Sequence, residues 1–215
     1  CSEINSIDLD KTAPFVIASY DIEVLGTRDK FPDPLDNNCP IVQIATIFQR
    51  YGENKPYMKH VIVRGNCVAP NNDKNGFDDV TLVCVKSEAD VLSEWFDVMQ
   101  TEKPDFLTGY NILGFDANFI FERAKKFGYD HIPLTRFKEI ISQFKTQSLE
   151  SGALGSNLFK YFTIPGCTIV DMLSVIKREH KLPSYKLDDV SEHFLNENKN
   201  PVKYWQIFEW SCESA

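Results

Sequence analysis

The strongest chemical signal in the chain is a pair of carboxylates two residues apart, in the stretch YDIEVLG at positions 20 to 26. They follow the apolar run Phe15, Val16, Ile17 and Ala18, which reads as a strand. Side chains alternate faces along a strand, so Asp21 and Glu23 stand side by side on one face while Ile22 points to the other. Like charges at that spacing repel unless something positive lies between them. A third carboxylate, Asp116, falls where YNILGFD (110 to 116) passes into a helical pattern. The N-terminal helix dipole favours negative charge, so Asp116 is expected to stay ionised easily and be ready to hold a cation. Hard divalent ions such as Mg²⁺ take oxygen ligands from one or two carboxylates, with water and substrate phosphate completing the shell. Two such ions about 3.5 to 4 Å apart activate a water and stabilise the leaving oxygen of a phosphodiester. Each feature has a plainer reading by itself: a solvated strand end for D-x-E, a helix cap for Asp116, a turn residue for Asn111. The combination points to metal-assisted chemistry.

The elements that must position these residues alternate between strand and helix. A Pro-rich connection, TRDKFPDPLDNNCP, follows the first strand, and IVQIATIFQR and YMKHVIVR read as the next two. NCVAPNNDKNGFDD is a loop and TLVCV a further strand. Ser87 with Asp90 three residues on is a capping-box signal for a helix from Glu88, whose Val91, Leu92, Trp95, Phe96 and Met99 form a core stripe. Pro104 ends that helix, PDFLTGY gives a short strand, and a helix from Phe115 or Asp116 turns Ile120, Ala124 and Phe127 inward. Residues 142 to 160 are polar and aperiodic and are expected to form a mobile loop or insertion. TIVDMLSVIKREH reads as a strand passing into a helix that starts at Asp171, and YKLDDVSEHFL as a last helix with Leu187, Val190 and Phe194 packed. Strands separated by helices predict an α/β sheet with helical cover.

Composition narrows the function classes. The 215 residues are 43% hydrophobic, enough to bury one core, and no window approaches a membrane span. The six cysteines (1, 39, 67, 84, 167 and 212) form no C-x-x-C pair, and the four histidines (60, 131, 180 and 193) lack zinc-ligand spacing. Reduced thiols fit a cytosolic or nuclear compartment rather than export. A net charge of −8 argues against holding nucleic acid by a broad basic surface, so any such contact must be local, metal-assisted or supplied by other parts of a larger protein.

Three stretches, in order, carry a resemblance. VIASYDIEVLG with FPDP and PIVQIATIF resembles the first exonuclease motif of family B DNA polymerases, and LTGYNILGFDANFIFERAKKFG resembles their second. VDMLSVIKREHKLPSYKLDDVSEHFL is similar to the segment that follows in the delta-like branch, shared by eukaryotic replicases and large DNA viruses. The resemblance spans nearly the whole chain. It implies a single proofreading 3′-to-5′ exonuclease domain over residues 1–215, part of a larger polymerase. The implied fold is ribonuclease H-like, a mixed, mostly five-stranded sheet flanked by helices. Asp21, Glu23 and Asp116 would be the catalytic metal ligands for two Mg²⁺ or Mn²⁺ ions, with Glu23 also orienting the attacking water. Asn111 and Phe115 would lie against the terminal nucleotide of a single-stranded DNA 3′ end. Implied partners are the palm, fingers and thumb of the same parent chain, at a nuclear or host-cell cytoplasmic replication site. Tyr20 before the aspartate and Val24 after the glutamate lean towards a viral source.

The family's fourth carboxylate belongs to a tyrosine, three residues, aspartate motif. Tyr185 with Asp189 fits that spacing literally, but SYKLDDVSEHFL resembles the segment that precedes the third motif. The expectation is therefore a third motif beyond residue 215, in a chain that is a fragment, consistent with Cys1 at its start. Asp171 reads as a structural helix start. Two other functions stay open: a stand-alone nuclease of the same superfold, against which FPDP and SYKLDDVSEHFL speak, and a non-catalytic DNA-binding or scaffold module. Metal titration separates the latter from an exonuclease.

Overall fold

The computed structural model describes residues 12–26, 30–67, 79–137, 140–151, 155–197 and 206. Its main sheet has six strands in the order β4-β3-β2-β1-β5-β8, formed by β1 (Val16–Val24), β2 (Ile41–Arg50), β3 (Met58–Arg64), β4 (Val80–Val85), β5 (Phe106–Gly109) and β8 (Thr168–Asp171). Only β2 runs against the others, so the carboxyl ends of β1, β3, β4, β5 and β8 all reach one edge of the sheet. Crevices at that edge are where α/β sheets bind ligands.

Period-two alternation in β1 is real. Ala18, Tyr20 and Ile22 are buried, whereas Ser19 and Asp21 are exposed and Glu23 is half-buried on the same face. The buried face packs against α1 (Glu88–Glu102), whose Val91, Leu92, Trp95, Phe96 and Met99 form the expected core stripe. The Trp95 ring lies 5.3 Å from that of Tyr20, and its Nε1–H donates to Thr46 Oγ1 at 3.1 Å. The Ser87–Asp90 capping box closes the start of α1 as read from sequence, and Lys103 in the left-handed region ends it before Pro104.

Helix α2 (Asp116–Lys126) buries Phe119, Ile120 and Ala124. Phe127, expected inward, caps the helix just before the chain turns at Gly128 (φ 86°), and its ring is partly exposed with the Arg123 and Lys126 head groups nearby. Helix α3 (Met172–Glu179) follows β8, with Asp171 as its N-cap. In α4 (Leu187–Leu195) only Val190 is buried; Leu187 and Phe194 are each 44% exposed, Leu187 facing a cleft and Phe194 lying against His180 and His193.

The stretch expected as a loop over 142 to 160 instead pairs as a two-stranded antiparallel ribbon, β6 (Gln143–Ser151) with β7 (Gly155–Thr163). Phe144 anchors it by stacking on Phe121 of α2, ring centroids 3.8 Å apart, and Phe162 is buried. Most of the loop expected at 66 to 79, the tip of the ribbon and nearly all of 198–215 lie outside the described residues. Among the described residues Cys39, Cys67, Cys84 and Cys167 are free thiols, and no helix is long and apolar enough to cross a membrane.

Candidate functional site

The site forms where β1 outruns its neighbour. β5 pairs with β1 only from Ile17 to Ser19, and further along the Ile22 N–H donates to Asp116 Oδ1 at 3.1 Å. Two glycines permit that approach. A Cβ at Gly109 would stand 2.6 Å from the Tyr20 carbonyl oxygen, and one at Gly114 would stand 2.4 Å from Asn111 Oδ1. The turn between β5 and α2 therefore folds tightly onto β1, with Asn111 in the left-handed region at φ 62°.

Asp171 fastens the turn from the far side. Its Oδ1 accepts from the Asn111 N–H at 2.9 Å, and its Oδ2 accepts from the Leu113 N–H at 3.0 Å. The same Oδ1 accepts from the Leu173 N–H at 2.9 Å, which caps α3. The structural role read from sequence is correct, and it is wider than a cap. The two added bonds span 60 and 58 residues, so nothing local in the sequence signals them.

A cleft of about 880 Å³ opens over this framework, lined by Asp21, Glu23, Asn111, Phe115 and Asp116, all five of the site residues read from sequence. Lys30 and Lys186 line it as well and place two positive charges beside the three carboxylates. Asp189 is exposed in the first turn of α4 and does not line the cleft. Besides Lys30 and Lys186, two more residues were missed as site members. Phe31 is 80% exposed and meets the Phe115 ring edge-on at 5.4 Å, and its sequence signal was its place in the FPDP stretch that carries part of the resemblance. Tyr110 donates through its hydroxyl to the Tyr185 carbonyl at 2.6 Å and so ties the 180–187 connection to the cleft wall.

The electrostatics centre on Asp116, which is 3% exposed. Burial first, and then the Asp21 carboxylate, push its pKa from 3.8 up to about 7, against the opposing N–H groups of Ile22 and Asp116 itself; Asp171 adds a smaller push. The expectation that Asp116 ionises easily at a helix start is thus reversed in the metal-free protein, because desolvation and a like charge outweigh the dipole. Tyr20 beneath is raised well above its ordinary value by burial and then by Asp116, Asp171 and Asp21, which places all three aspartates around one ring.

Hard-oxygen donors crowded until one of them holds its proton suit a divalent cation, which would remove the repulsion. Among the described residues, no three His, Cys, Asp or Glu side chains gather closely enough to ligate one ion. That count is compatible with an ion of the Mg²⁺ type, which binds through one or two carboxylates plus water and substrate oxygens.

Comparison with known proteins follows the same line. Residues 1–190 match the family model for the DNA polymerase family B exonuclease domain. The chain is 34% identical over 202 residues to the DNA polymerase delta catalytic subunit of Dictyostelium discoideum, covering 94% of this chain and 18% of that protein. It is 39% identical over 177 residues to a DNA polymerase of Pyramimonas orientalis virus, covering 81% of this chain and 14% of that one. The delta catalytic subunit of Caenorhabditis elegans is 37% identical over 193 residues, 89% of this chain and 17% of that protein. The chain thus spans less than a fifth of the length of these relatives.

Proposed function

Since the chain belongs to the exonuclease domains of family B DNA polymerases, we propose that it is the proofreading region of a replicative polymerase and removes 3′-terminal nucleotides from DNA by hydrolysis. The observation that carries the reading is the convergence of Asp21, Glu23 and Asp116 on one cleft that also holds Asn111, Phe115 and Phe31.

Asp21, Glu23 and Asp116 hold Mg²⁺ or Mn²⁺, two ions, and when bound these supply an activated water and a counter-charge for the leaving oxygen. Glu23 accepts a hydrogen bond from the attacking water and orients it in line with the scissile bond. The water oxygen forms the new bond to phosphorus, the bond to the 3′ oxygen of the shortened strand breaks, and a proton ends on that oxygen. Asp116 must lose its proton to act as a ligand, so the site gains donor strength as pH rises towards 7 and beyond. Asn111 positions the terminal nucleotide by hydrogen bonding. Phe115 and Phe31 offer faces and edges on which bases stack without regard to sequence. Lys30 and Lys186 neutralise backbone phosphates that the carboxylates would otherwise repel. A frayed, unpaired end reaches such a cleft more readily than a paired one. The domain works beside the palm, fingers and thumb of its parent chain, at a nuclear or host-cell replication site; a viral source has the support of the Pyramimonas orientalis virus polymerase, set against the eukaryotic delta subunits among the relatives.

A second reading, a non-catalytic DNA-binding or scaffold module, draws on the absence of a three-ligand cluster among the described residues. One experiment separates the two. A 5′-labelled single-stranded oligonucleotide is incubated with the chain in Mn²⁺, beside Asp21→Ala and Glu23→Gln. Mn²⁺ binding that both substitutions weaken, with any shortening from the 3′ end lost in both, is the expected result. An inert chain that also binds Mn²⁺ no more tightly than Asp21→Ala would overturn the exonuclease reading in favour of the module.

A further inference from the structure

Against a net charge of −8, one hollow in the protein is strongly positive. It encloses about 280 Å³ and is lined by Arg64, Lys86, Arg123 and Lys126, with Glu88 the one carboxylate among the described residues. Glu88 is fully engaged: it forms a buried ion pair with Arg123 and accepts the Ile41 N–H at 2.8 Å. Arg123 Nη1 donates to the carbonyls of Pro34 and Asp36. Lys126 donates to the neutral Asn37 side chain. Neither Arg64 nor Lys86 forms an ion pair among the described residues. Among the described residues, Arg64, Lys86 and Lys126 therefore face one hollow whose carboxylate is already paired with Arg123. Cations gathered at one place attract a ligand with several negative charges, most strongly at low salt.

Its position says which polyanion. Arg64 ends β3 and Lys86 follows β4, side by side in the parallel register that pairs Arg64 with Val85. They lie on the same sheet edge as the carboxylate cleft. Helix α2 runs along that edge, from Asp116 beside Ile22 to Arg123 and Lys126 beside Glu88 and Asn37. Its 11 residues at about 1.5 Å each separate the two places by roughly 15 Å. At about 3.4 Å per nucleotide for a fully stacked strand that is at most four to five nucleotides, and fewer for an extended one. The connection from β1 to β2 joins them too, lining the cleft with Lys30 and Phe31 and the hollow with Asn37 and Pro40.

We propose that the Arg64–Lys86–Lys126 hollow is a second nucleic-acid contact, which takes the phosphodiester backbone of the same strand within about five nucleotides of the 3′ end held in the cleft. The proposal rests on the exonuclease reading for the strand's direction, but not for the existence of the contact.

The test is oligonucleotide binding by fluorescence anisotropy, with the full chain in chelator so that no hydrolysis is needed. A 12-nucleotide thymidine oligomer is titrated at several salt concentrations against the parent, an Arg64→Gln/Lys86→Gln/Lys126→Gln variant, and a Lys55→Gln/Lys103→Gln/Arg178→Gln variant of equal charge. Each phosphate contact on a single strand contributes about 0.7 to the salt slope, so losing three lowers it by roughly two. A fourfold rise in salt then costs the hollow variant about 16-fold less affinity than it costs the parent. A dinucleotide, too short to span both places, should show no such difference. Equal slopes for the two triple variants would overturn the proposal. So would tripolyphosphate binding that the hollow variant loses while keeping its oligomer binding, which would reassign the hollow to free phosphate. Should the triple variant fail a circular dichroism melt, Arg64→Gln and Lys86→Gln singly are each expected to lower the slope by about 0.7, and no change in either would refute the contact. Metal-dependent digestion is scored separately, so loss of the exonuclease reading leaves this result standing and the reverse holds as well.

Discussion

The state of Asp116 can be tested through stability, with no assay of activity. Its pKa lies near 7 in the folded protein against an ordinary 3.8. A carboxyl whose folded pKa is raised binds its proton more tightly when folded. Its contribution is fully present below about pH 4 and is lost as pH rises through about 7. At about 1.4 kcal/mol per pKa unit, the full difference is roughly 4 kcal/mol. Asp116→Asn keeps the Oδ1 acceptor for the Ile22 N–H and removes the charge. In chelator, the variant should match the parent near pH 4 and exceed it increasingly up to pH 8, by as much as about 4 kcal/mol. The assay is urea unfolding of both proteins across that range, read as a pH-dependent difference in midpoint. Addition of Mn²⁺ at pH 8 should stabilise the parent and leave Asp116→Asn nearly unmoved, because binding to the folded state shifts its stability by mass action. A difference between the two proteins that is flat with pH would refute the account, since it would mean that Asp116 is ionised in the metal-free fold.

Three further substitutions probe how the cleft is assembled. Gly109→Ala puts a Cβ 2.6 Å from the Tyr20 carbonyl oxygen, which must push the β5–α2 turn off β1; a loss of about 1 to 3 kcal/mol in unfolding free energy and a marked fall in digestion rate are expected. Phe31→Ala removes a largely exposed ring, so the melting temperature should hold while single-strand affinity falls by about 1 to 3 kcal/mol in an anisotropy titration. Arg123→Met leaves Glu88 buried without its partner and releases the Pro34 and Asp36 carbonyls; an unfolding free energy lower by about 3 to 5 kcal/mol is expected, and Glu88→Gln/Arg123→Met should recover part of it, which a double-mutant cycle would measure.

How far the sequence carries depends on the range of the interaction that decides each feature. The facing of Asp21 and Glu23 follows from an alternation within one strand, and the start of α1 follows from a capping box three residues long; both are local and both were legible. The ribbon of β6 and β7 was not. Its described side chains are largely polar on both faces and carry no alternation, and among them Phe144 and Phe162 tie it to the core. The outward turn of Phe127 and the exposure of Leu187 and Phe194 were missed for a related reason: helical spacing identifies an apolar face without saying whether another element covers it.

The site divides along the same line. The residue types that converge on the cleft could be named from sequence, because acidic side chains at a strand end and a helix start have few other uses in combination. The charge state of Asp116 could not, since it depends on how deeply the turn is pressed onto β1. That depth is set by Gly109 against the Tyr20 carbonyl and by Asp171 holding the Asn111 and Leu113 N–H groups, contacts that bridge well over fifty residues. Asp171 thereby does two opposed things. It fixes the turn that brings Asp116 to Asp21, and its own charge adds to the repulsion that keeps Asp116 protonated. Asp171→Asn should separate these effects. One amide oxygen can still accept an N–H bond while the amide nitrogen faces a second N–H, so the turn loosens even as the electrostatic push on Asp116 falls. A carboxyl resonance of Asp116 that titrates lower in this variant, together with faster amide exchange at Asn111 or Leu113, is the expected pair of results; a lower titration with unchanged exchange would mean that the carboxylate acts on the site through its charge alone.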